Sequence, residues 1–259
     1  MISSQTNETV RLVGALQKKA DLRREKGLFV VEGKRLAAEA PPERIVRLFM
    51  TEAFSATSEG KAMSLRGRTE LVSESVMLKM SDTKTPQGVL ALVSMPEGES
   101  PFKPDAPLLF LEHIQDPGNV GTLFRTAEAA GAGGILMDEE TADPFSPKVI
   151  RSTMGAIFRV PFKVCRDIPG EIAALKKNGY RIFAAHLEAE ESFDSAVYPA
   201  RCVVMLGNEG NGLSAETAAL ADARLRIPME GKTESLNVSV AGALLLYEAY
   251  RQRRAGQAP

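Results

Sequence analysis

The stretch IPMEGKTESLNVSVAGALLLYEAYRQR, residues Ile227 to Arg253, contains the strongest indication of the fold. It begins like a buried strand, is interrupted at residues 230–232, and continues as a long apolar helix. Ser235 and Asn237 lie where that helix should begin. Serine and asparagine at such positions are most often helix caps. A polar cluster that follows a glycine-bearing loop also raises the question of whether this helix start binds a ligand.

The overall composition is that of an ordinary globular protein. The chain has 259 residues, of which 44% are hydrophobic and 25% are charged, and it is long enough for one large domain or two small ones. No apolar run has the length of a membrane span. Residues 1–27 lack the apolar core of a signal peptide. A cytoplasmic protein without a membrane partner is therefore expected.

Cysteine and histidine do not form a metal-binding pattern. Cys165 and Cys202 have neither metal nor redox spacing, and His113 and His186 are far apart in the sequence. We therefore expect no metal site, and we expect both cysteines to pack as small apolar residues.

The net charge of −1 does not by itself indicate a nucleic-acid partner, but the basic residues are unevenly distributed. Residues 11–35 contain three acidic and eight basic residues, the latter being Arg11, Lys18, Lys19, Arg23, Arg24, Lys26, Lys34 and Arg35. Such a basic stripe can bind phosphates, or it can be a solvated helix face. The sequence leaves both interpretations open.

A proline-rich segment divides the chain. MPEGESPFKPDAP, from Met95 to Pro107, contains four prolines and few apolar residues, which is typical of a linker. We therefore predict a first domain at residues 1–95, a linker at 96–107 and a second domain at 108–259. Interleaved helices and strands predict a small α/β or α+β first domain.

The second domain alternates apolar strands with amphipathic helices. This pattern predicts an α/β fold with a mostly parallel sheet covered on both faces. The predicted strands are LLFLEHI, GILM, VPFKV, RIFAAHL, CVVMLG and RLRIPM.

Common nucleotide-binding and hydrolase motifs are absent from the sequence. It contains no G-x-G-x-x-G after a strand, no phosphate-binding P-loop and no G-x-S-x-G elbow. Instead, QDPGNVG, GNEGNGLS and MEGKTESLN each follow a predicted strand. Ligands of open parallel sheets bind at the carboxyl ends of the strands. Three polar, glycine-bearing loops at that edge therefore favour a binding site.

Each loop also has a purely structural interpretation. Asn119 can cap the following helix. Arg125 lies off the apolar face of that helix, where a solvated arginine is the simplest interpretation. The glycines around Glu209 allow either close approach to a ligand or a tight turn before a helix capped by Ser214.

The motifs resemble those of a known enzyme family. DPGNVGTLFRTAEAAG, VVMLGNEGNGLS and IPMEGKTESLNVSVAGALLLYE are similar to the three ordered motifs of SpoU/TrmH-type RNA 2′-O-ribose methyltransferases, of the SPOUT class. The resemblance extends from Leu108 to Arg253, and SPKVIRSTMGAIF resembles a stretch between the first two motifs. GLFVVEGKRLAAEA resembles the small substrate-binding domain that precedes many of these catalytic domains.

The resemblance implies a C-terminal trefoil knot, which is an exception to the rule against threaded chains, and S-adenosyl-L-methionine bound within it. It assigns the adenine and ribose of this cofactor to the backbone of five residues, Leu206, Gly207, Ile227, Met229 and Leu236. The polar start of the last helix would then form one wall of the cofactor site.

The implied reaction is attack of a ribose 2′-hydroxyl on the activated methyl group. The family assigns the help with deprotonation to the arginine that matches Arg125. Because a guanidinium has a pKa above about 12, Arg125 would either anchor a phosphate and steady the oxyanion or be made basic by that phosphate. The remaining matched residues, Asn119, Glu209, Ser235 and Asn237, would orient the arginine and the ribose.

The implied partners are RNA and a second copy of the chain. RNA is implied because only RNA carries the 2′-hydroxyl, and the separate N-terminal domain favours ribosomal RNA. Three alternatives stay open: a transfer-RNA 2′-O-methyltransferase, a non-catalytic RNA-binding assembly factor, and a small-molecule α/β enzyme with another nucleotide.

Overall fold

The computed structural model describes residues 1–96, 98 and 101–256. It contains two compact units, Met1–Gly98 with Asp143–Phe158 (unit 1) and Glu99–Ala142 with Arg159–Pro259 (unit 2). Within the predicted linker, Glu97, Glu99 and Ser100 lie outside the described residues.

Helices and strands follow one another along the described part of the chain. The α-helices are α1 (Glu8–Leu16), α2 (Ala20–Lys26), α3 (Lys34–Glu39), α4 (Glu52–Ser55), α5 (Ser58–Ser64), α6 (Glu74–Met80), α7 (Pro117–Ala129), α8 (Pro147–Thr153), α9 (Ile168–Lys177), α10 (Ala215–Ala218) and α11 (Val238–Arg254). The strands are β1 (Leu28–Glu32), β2 (Ile45–Thr51), β3 (Thr69–Val72), β4 (Val89–Ser94), β5 (Leu108–Leu111), β6 (Gly134–Asp138), β7 (Phe162–Cys165), β8 (Arg181–Ala185), β9 (Glu191–Ser192), β10 (Cys202–Leu206) and β11 (Ala223–Arg226). Short 3₁₀ helices span Pro42–Arg44 and Ala156–Phe158.

Unit 1 contains a four-stranded sheet in the order β1-β4-β2-β3. The β1/β4 and β4/β2 pairs are antiparallel, whereas β2 and β3 are parallel. Its core combines one face of this sheet with apolar residues of α1 and α6, among them Val13, Leu16 and Met77.

Residues 143–158 belong to unit 1 although unit 2 flanks them in sequence. The buried guanidinium of Arg23 forms an ion pair with Asp143. The ring of Phe29 lies 4.8 Å from that of Phe145 and 6.3 Å from that of Phe158. The core of unit 1 is therefore completed by a segment distant in sequence.

Unit 2 contains a seven-stranded sheet in the order β7-β6-β5-β10-β8-β11-β9, with parallel pairing throughout. Every residue of β5, β6 and β10 is buried, as expected for a parallel sheet covered on both faces. The predicted α/β architecture with a mostly parallel sheet is confirmed. Because the strands are parallel, β5, β8, β10 and β11 all end at the same edge of the sheet.

Several predicted boundaries shift at this edge. The strand predicted as LLFLEHI ends at Leu111, and His113, two residues later, has a φ of 57°, which is incompatible with an extended strand. The helix predicted from Ser235 begins at Val238, with Asn237 as its N-cap. Among the described residues, no helix combines the length and apolar character that crossing a bilayer requires.

Candidate cofactor and catalytic site

A cavity of about 500 Å³ opens at the carboxyl ends of β8, β10 and β11. Its walls come from the loops after these strands and from the first turn of α11. All five predicted cofactor residues line it, namely Leu206, Gly207, Ile227, Met229 and Leu236. The volume falls within the range of about 300–1,000 Å³ typical of small-molecule sites.

Gly207 closes the second loop upon itself. A Cβ atom at this position would lie 2.1 Å from the carbonyl carbon of Gly212 and 2.1 Å from the nitrogen of Leu213. The Gly212 nitrogen donates a hydrogen bond to the Asn208 oxygen over 2.9 Å, and Gly212 has a φ of 69°. Glycine is thus required at Gly207 by the approach of the loop's own backbone, whatever ligand the loop faces.

A polar network joins the three loops. The side-chain nitrogen of Asn119 donates to Glu209 Oε1 over 2.8 Å, and that of Asn237 donates to Asn119 Oδ1 over 3.0 Å. Asn237 Oδ1 accepts from the nitrogen and hydroxyl of Ser239 at the start of α11. Three of the five predicted catalytic residues are therefore in direct hydrogen-bond contact.

The interpretation of Asn119 as a helix cap is wrong. Asp116 is the N-cap of α7, and its Oδ1 accepts the backbone N–H of Asn119 over 3.0 Å. Because the aspartate takes the capping position, the amide of Asn119 is available to the network. The interpretation of Ser214 as a cap is confirmed, since its hydroxyl accepts from the Thr217 nitrogen over 3.1 Å.

The two other predicted catalytic residues lie outside this network. Ser235 is exposed and lines the cavity. Arg125 is exposed on α7, six residues and about 9 Å of helical rise beyond Asn119. Within the described part of the chain, the side chain of Arg125 makes no hydrogen bond or ion pair.

Further polar residues at this edge were not singled out from the sequence. His113 Nδ1 lies 2.9 Å from the buried Asp138 carboxylate, and the His113 carbonyl accepts from the Asn208 side chain over 2.9 Å. Glu112, the residue before His113, is buried. His186 and Glu188 also line the cavity. The sequence contains one indication of such a residue: the acid Glu112 directly follows the apolar run LLFL.

Neither cysteine takes part in this site. Both are buried, and burial raises the pKa of the Cys165 thiol to about 11 and that of Cys202 to about 12. Among the residues that the structure describes, no three His, Cys, Asp or Glu side chains are grouped so as to hold a metal ion.

Comparisons with known proteins agree with this architecture. The profile of the SpoU rRNA Methylase family matches residues 106–247, and that of the MRM3-like substrate binding domain matches residues 7–91. The chain is 31% identical to the 23S rRNA (guanosine(2553)-2′-O)-methyltransferase RlmP of Bacillus subtilis, over 95% of this chain and 97% of that protein. It is also 31% identical to the 23S rRNA (guanosine-2′-O-)-methyltransferase RlmB of Coxiella burnetii, over 88% of this chain and 95% of that one.

A solved structure extends the similarity to three dimensions. The SpoU methyltransferase AviRb of Streptomyces viridochromogenes, in complex with the cofactor AdoMet, matches with a TM-score of 0.86 and 26% identity. The match covers 96% of this chain and 99% of AviRb. The family profile matches residues 106–247, and RlmP and RlmB match over nearly their whole length. The chain therefore belongs to the SpoU rRNA methylase family.

Proposed function

We propose that this protein transfers a methyl group from S-adenosyl-L-methionine to a ribose 2′-hydroxyl of ribosomal RNA. The observation that carries the proposal is the cavity lined by all five predicted cofactor residues, beside the Glu209–Asn119–Asn237 network. The names of RlmP and RlmB, both 23S rRNA 2′-O-methyltransferases, support ribosomal RNA as the substrate class.

The cavity fits the proposed cofactor chemically. Apolar side chains of Leu206, Ile227 and Met229 line it and offer a surface for a purine ring, while the glycine loop brings backbone groups to the same wall. S-adenosyl-L-methionine supplies, when bound, a methyl group activated by a positively charged sulfur. The protein must therefore orient a poorly nucleophilic hydroxyl and manage its proton.

The polar network performs the orienting part of this task. Asn119 uses its amide nitrogen toward Glu209 and its carbonyl oxygen toward Asn237, so both ends of its side chain are fixed. Ser235 lies on the cavity wall, where its hydroxyl can reach the cofactor or the target ribose. Arg125 is proposed to anchor the phosphate of the target nucleotide, and its exposed side chain, which has no partner within the described residues, supports this role.

The first domain is proposed to hold the RNA. Residues 1–95 form this substrate-binding domain, residues 96–107 the linker and residues 108–259 the catalytic domain. The match of residues 7–91 to the MRM3-like substrate binding domain supports the assignment. Seven of the eight basic residues between Arg11 and Arg35 are exposed and can contact phosphates, whereas Arg23 is buried and cannot.

The catalytic domain is proposed to form a homodimer, and the protein to act in the cytoplasm, where ribosomal RNA is found. An exposed apolar stripe supports the proposed dimer; it runs along α11 and includes the residue before the N-cap of that helix. The stripe consists of Leu236, Val240, Leu244 and Tyr247, which are 37–48% exposed. Val240, Leu244 and Tyr247 are spaced by three or four residues and therefore lie on one face of the helix. Exposed apolar surface of this kind marks interaction sites.

Mapping of 2′-O-methylation in cells with and without this gene tests the substrate class. One ribose of ribosomal RNA should lose its methyl group in the deletion strain and regain it on complementation. If a methyl group is lost from transfer RNA alone, the substrate is transfer RNA and not ribosomal RNA. If no mark is lost from any RNA, the enzymatic proposal fails in favour of a binding factor.

A glycine substitution tests the cofactor site. Gly207→Ala should abolish binding of S-adenosyl-homocysteine, because its Cβ would lie 2.1 Å from backbone atoms of Gly212 and Leu213 and force the loop open. Gly231→Ala is the matched control, since no atom lies within 4 Å of its added Cβ. Calorimetric titration of the folded variants measures both. Normal binding by Gly207→Ala would mean that the cofactor does not bind against this loop.

A further inference from the structure

We propose that Glu112 is a positioning residue that holds the glycine loop 207–213 closed and thereby sets the affinity for the cofactor. The inference rests on the proposed placement of the cofactor against this loop. Glu112 itself does not line the cavity, so its effect on the ligand would act through the loop.

Glu112 is bonded to both ends of the loop. At the first end, its backbone nitrogen donates to the oxygen of Leu206, the last residue of β10, over 2.9 Å. At the second end, its carboxylate accepts the Ser214 nitrogen over 2.7 Å and the Ser214 hydroxyl over 2.7 Å. One residue thus fixes the distance between the start and the end of the loop.

The carboxylate is buried and occupied on both oxygens. Glu112 is 3% exposed. Its Oε2 accepts the Ser214 nitrogen, while its Oε1 accepts the hydroxyls of Ser214 and Thr217. A buried carboxylate is costly unless such hydrogen bonds compensate for its lost hydration. Opening the loop would break these bonds, so the closed form is strongly favoured.

Besides the bonds to Glu112, the loop is tied to the rest of unit 2 by the Asn208 side chain, which donates to the His113 carbonyl over 2.9 Å, by the bond from Asn119 to Glu209, and by Leu213 in the core. Glu209, Gly210, Asn211 and Gly212 are all exposed. Their support within the loop comes from Asn208, whose Oδ1 accepts the nitrogens of Gly210 and Asn211 over 2.9 and 3.2 Å and whose carbonyl accepts the Gly212 nitrogen over 2.9 Å. Without the Glu112 anchor, open conformations should become populated. Apparent affinity then falls in proportion to the fraction of molecules in which the loop is closed.

The test compares two buried carboxylates in the full-length protein. Glu112→Ala removes the anchor, and Glu112→Gln keeps its shape with one acceptor oxygen. Glu32→Ala is the matched control, because Glu32 is also buried and accepts two backbone nitrogens and a threonine hydroxyl, at Asp82 and Thr83 in unit 1. Calorimetry with S-adenosyl-homocysteine, well below the melting temperature of each variant, measures the dissociation constant.

We expect the dissociation constant to rise about tenfold or more for Glu112→Ala, the scale of losing one or two hydrogen bonds. Glu112→Gln should lie between this variant and the wild type, and Glu32→Ala should stay within about twofold of the wild type. Hydrogen exchange of the 208–212 amides should accelerate in the Glu112 variants. Saturating cofactor should restore the rate of methyl transfer, so that KM for the cofactor rises and kcat does not fall.

Two outcomes overturn the proposal. One is an unchanged dissociation constant in Glu112→Ala, or in Glu112→Gln if the alanine variant does not fold. The other is a fall in kcat with KM unchanged. Gly207→Ala, measured in parallel, separates the two levels of inference. If it loses binding while the Glu112 variants do not, only the role of Glu112 fails; if it binds normally, the cofactor site itself is misplaced.

Discussion

Asn119 shows how a residue acquires a functional contact when a neighbour takes over its structural task. The sequence offers Asn119 as a helix cap, but Asp116 caps α7, and the asparagine side chain bonds to Glu209 and Asn237 instead. A carboxylate at the N-cap is also favoured by the helix dipole. The network of three polar residues depends on this division between Asp116 and Asn119.

Arg125 is the residue for which the structural and catalytic interpretations differ most. It is exposed and has no intramolecular partner within the described residues, so Arg125→Ala should change the free energy of unfolding by at most about 0.5 kcal/mol. If it anchors the target phosphate, methyl transfer should fall about a hundredfold or more while cofactor binding is retained. Single-turnover methyl transfer at saturating cofactor measures this.

Two further variants make that test specific. Arg125→Lys should recover little activity, because an ammonium cannot reproduce the planar fork of a guanidinium. Arg166→Ala is the control, since Arg166 is an exposed arginine of the same unit paired with Glu139. A wild-type rate in Arg125→Ala would transfer the proposed role to Glu209 or Asn237.

The two cysteines make a prediction about chemical reactivity. Burial raises the pKa of Cys165 to about 11 and of Cys202 to about 12, and only the thiolate is a nucleophile. At pH 8 roughly a thousandth or less of each thiol would be ionised, so alkylation by iodoacetamide should require unfolding. Peptide mass spectrometry with and without denaturant measures this. Rapid labelling of either cysteine in the native protein would contradict the buried placement.

At the scale of the element, α11 has two different faces. Residues such as Gly242, Leu245 and Leu246 are buried within unit 2, and a Cβ at Gly242 would lie 2.6 Å from Leu123 of α7. The opposite face carries the apolar stripe, whose side chains are 37–48% exposed. The polar start of the helix belongs to the site, whereas its apolar body packs against α7 and extends to the stripe.

A charge within the stripe tests the proposed dimer. Leu244→Asp should weaken self-association by about a hundredfold or more, because an aspartate would be buried without a partner. Leu65→Asp, at a leucine of unit 1 that is 88% exposed, should leave the mass unchanged. Sedimentation over a range of concentrations measures both. If Leu244→Asp is as dimeric as the wild type, the interface lies elsewhere.

At the scale of the whole molecule, the chain builds unit 1 from two separate stretches. The segment 143–158 makes two ion pairs with the first stretch, Asp143 with Arg23 and Arg151 with Asp82. Its Phe145 and Phe158 rings also pack against the ring of Phe29. The segment SPKVIRSTMGAIF, which resembles a family stretch, therefore packs as part of unit 1 although it lies within the sequence range proposed as the catalytic domain. A fragment that lacks the first 98 residues would expose these side chains.

The exposed basic residues of unit 1 predict salt-dependent RNA binding. Lys18 and Lys19 are exposed just after the end of α1, so their joint replacement by alanine should weaken RNA binding and lower the salt slope by roughly 0.7–0.9 per lost phosphate contact. Fluorescence titration at several salt concentrations measures the slope. Glu25→Ala, at an exposed acid of the neighbouring helix, is the control and should not lower it. Equal slopes for the wild type and the lysine variant would mean that this face is merely solvated.

The sequence by itself determined the alternating pattern of unit 2, the three loops at one sheet edge and the family, which the profile match confirms. These follow from local signals, because strand periodicity, glycines and helix caps act over a few residues. Tertiary structure alone decided which side chains meet. The clamp from Glu112 to Ser214 joins residues 102 positions apart, and the Arg23–Asp143 pair joins residues 120 apart. Such partners are selected by the packing of strands and helices from distant parts of the chain, which residue spacing does not encode. For the same reason a basic residue that looks exposed in sequence, Arg23, is buried in the fold.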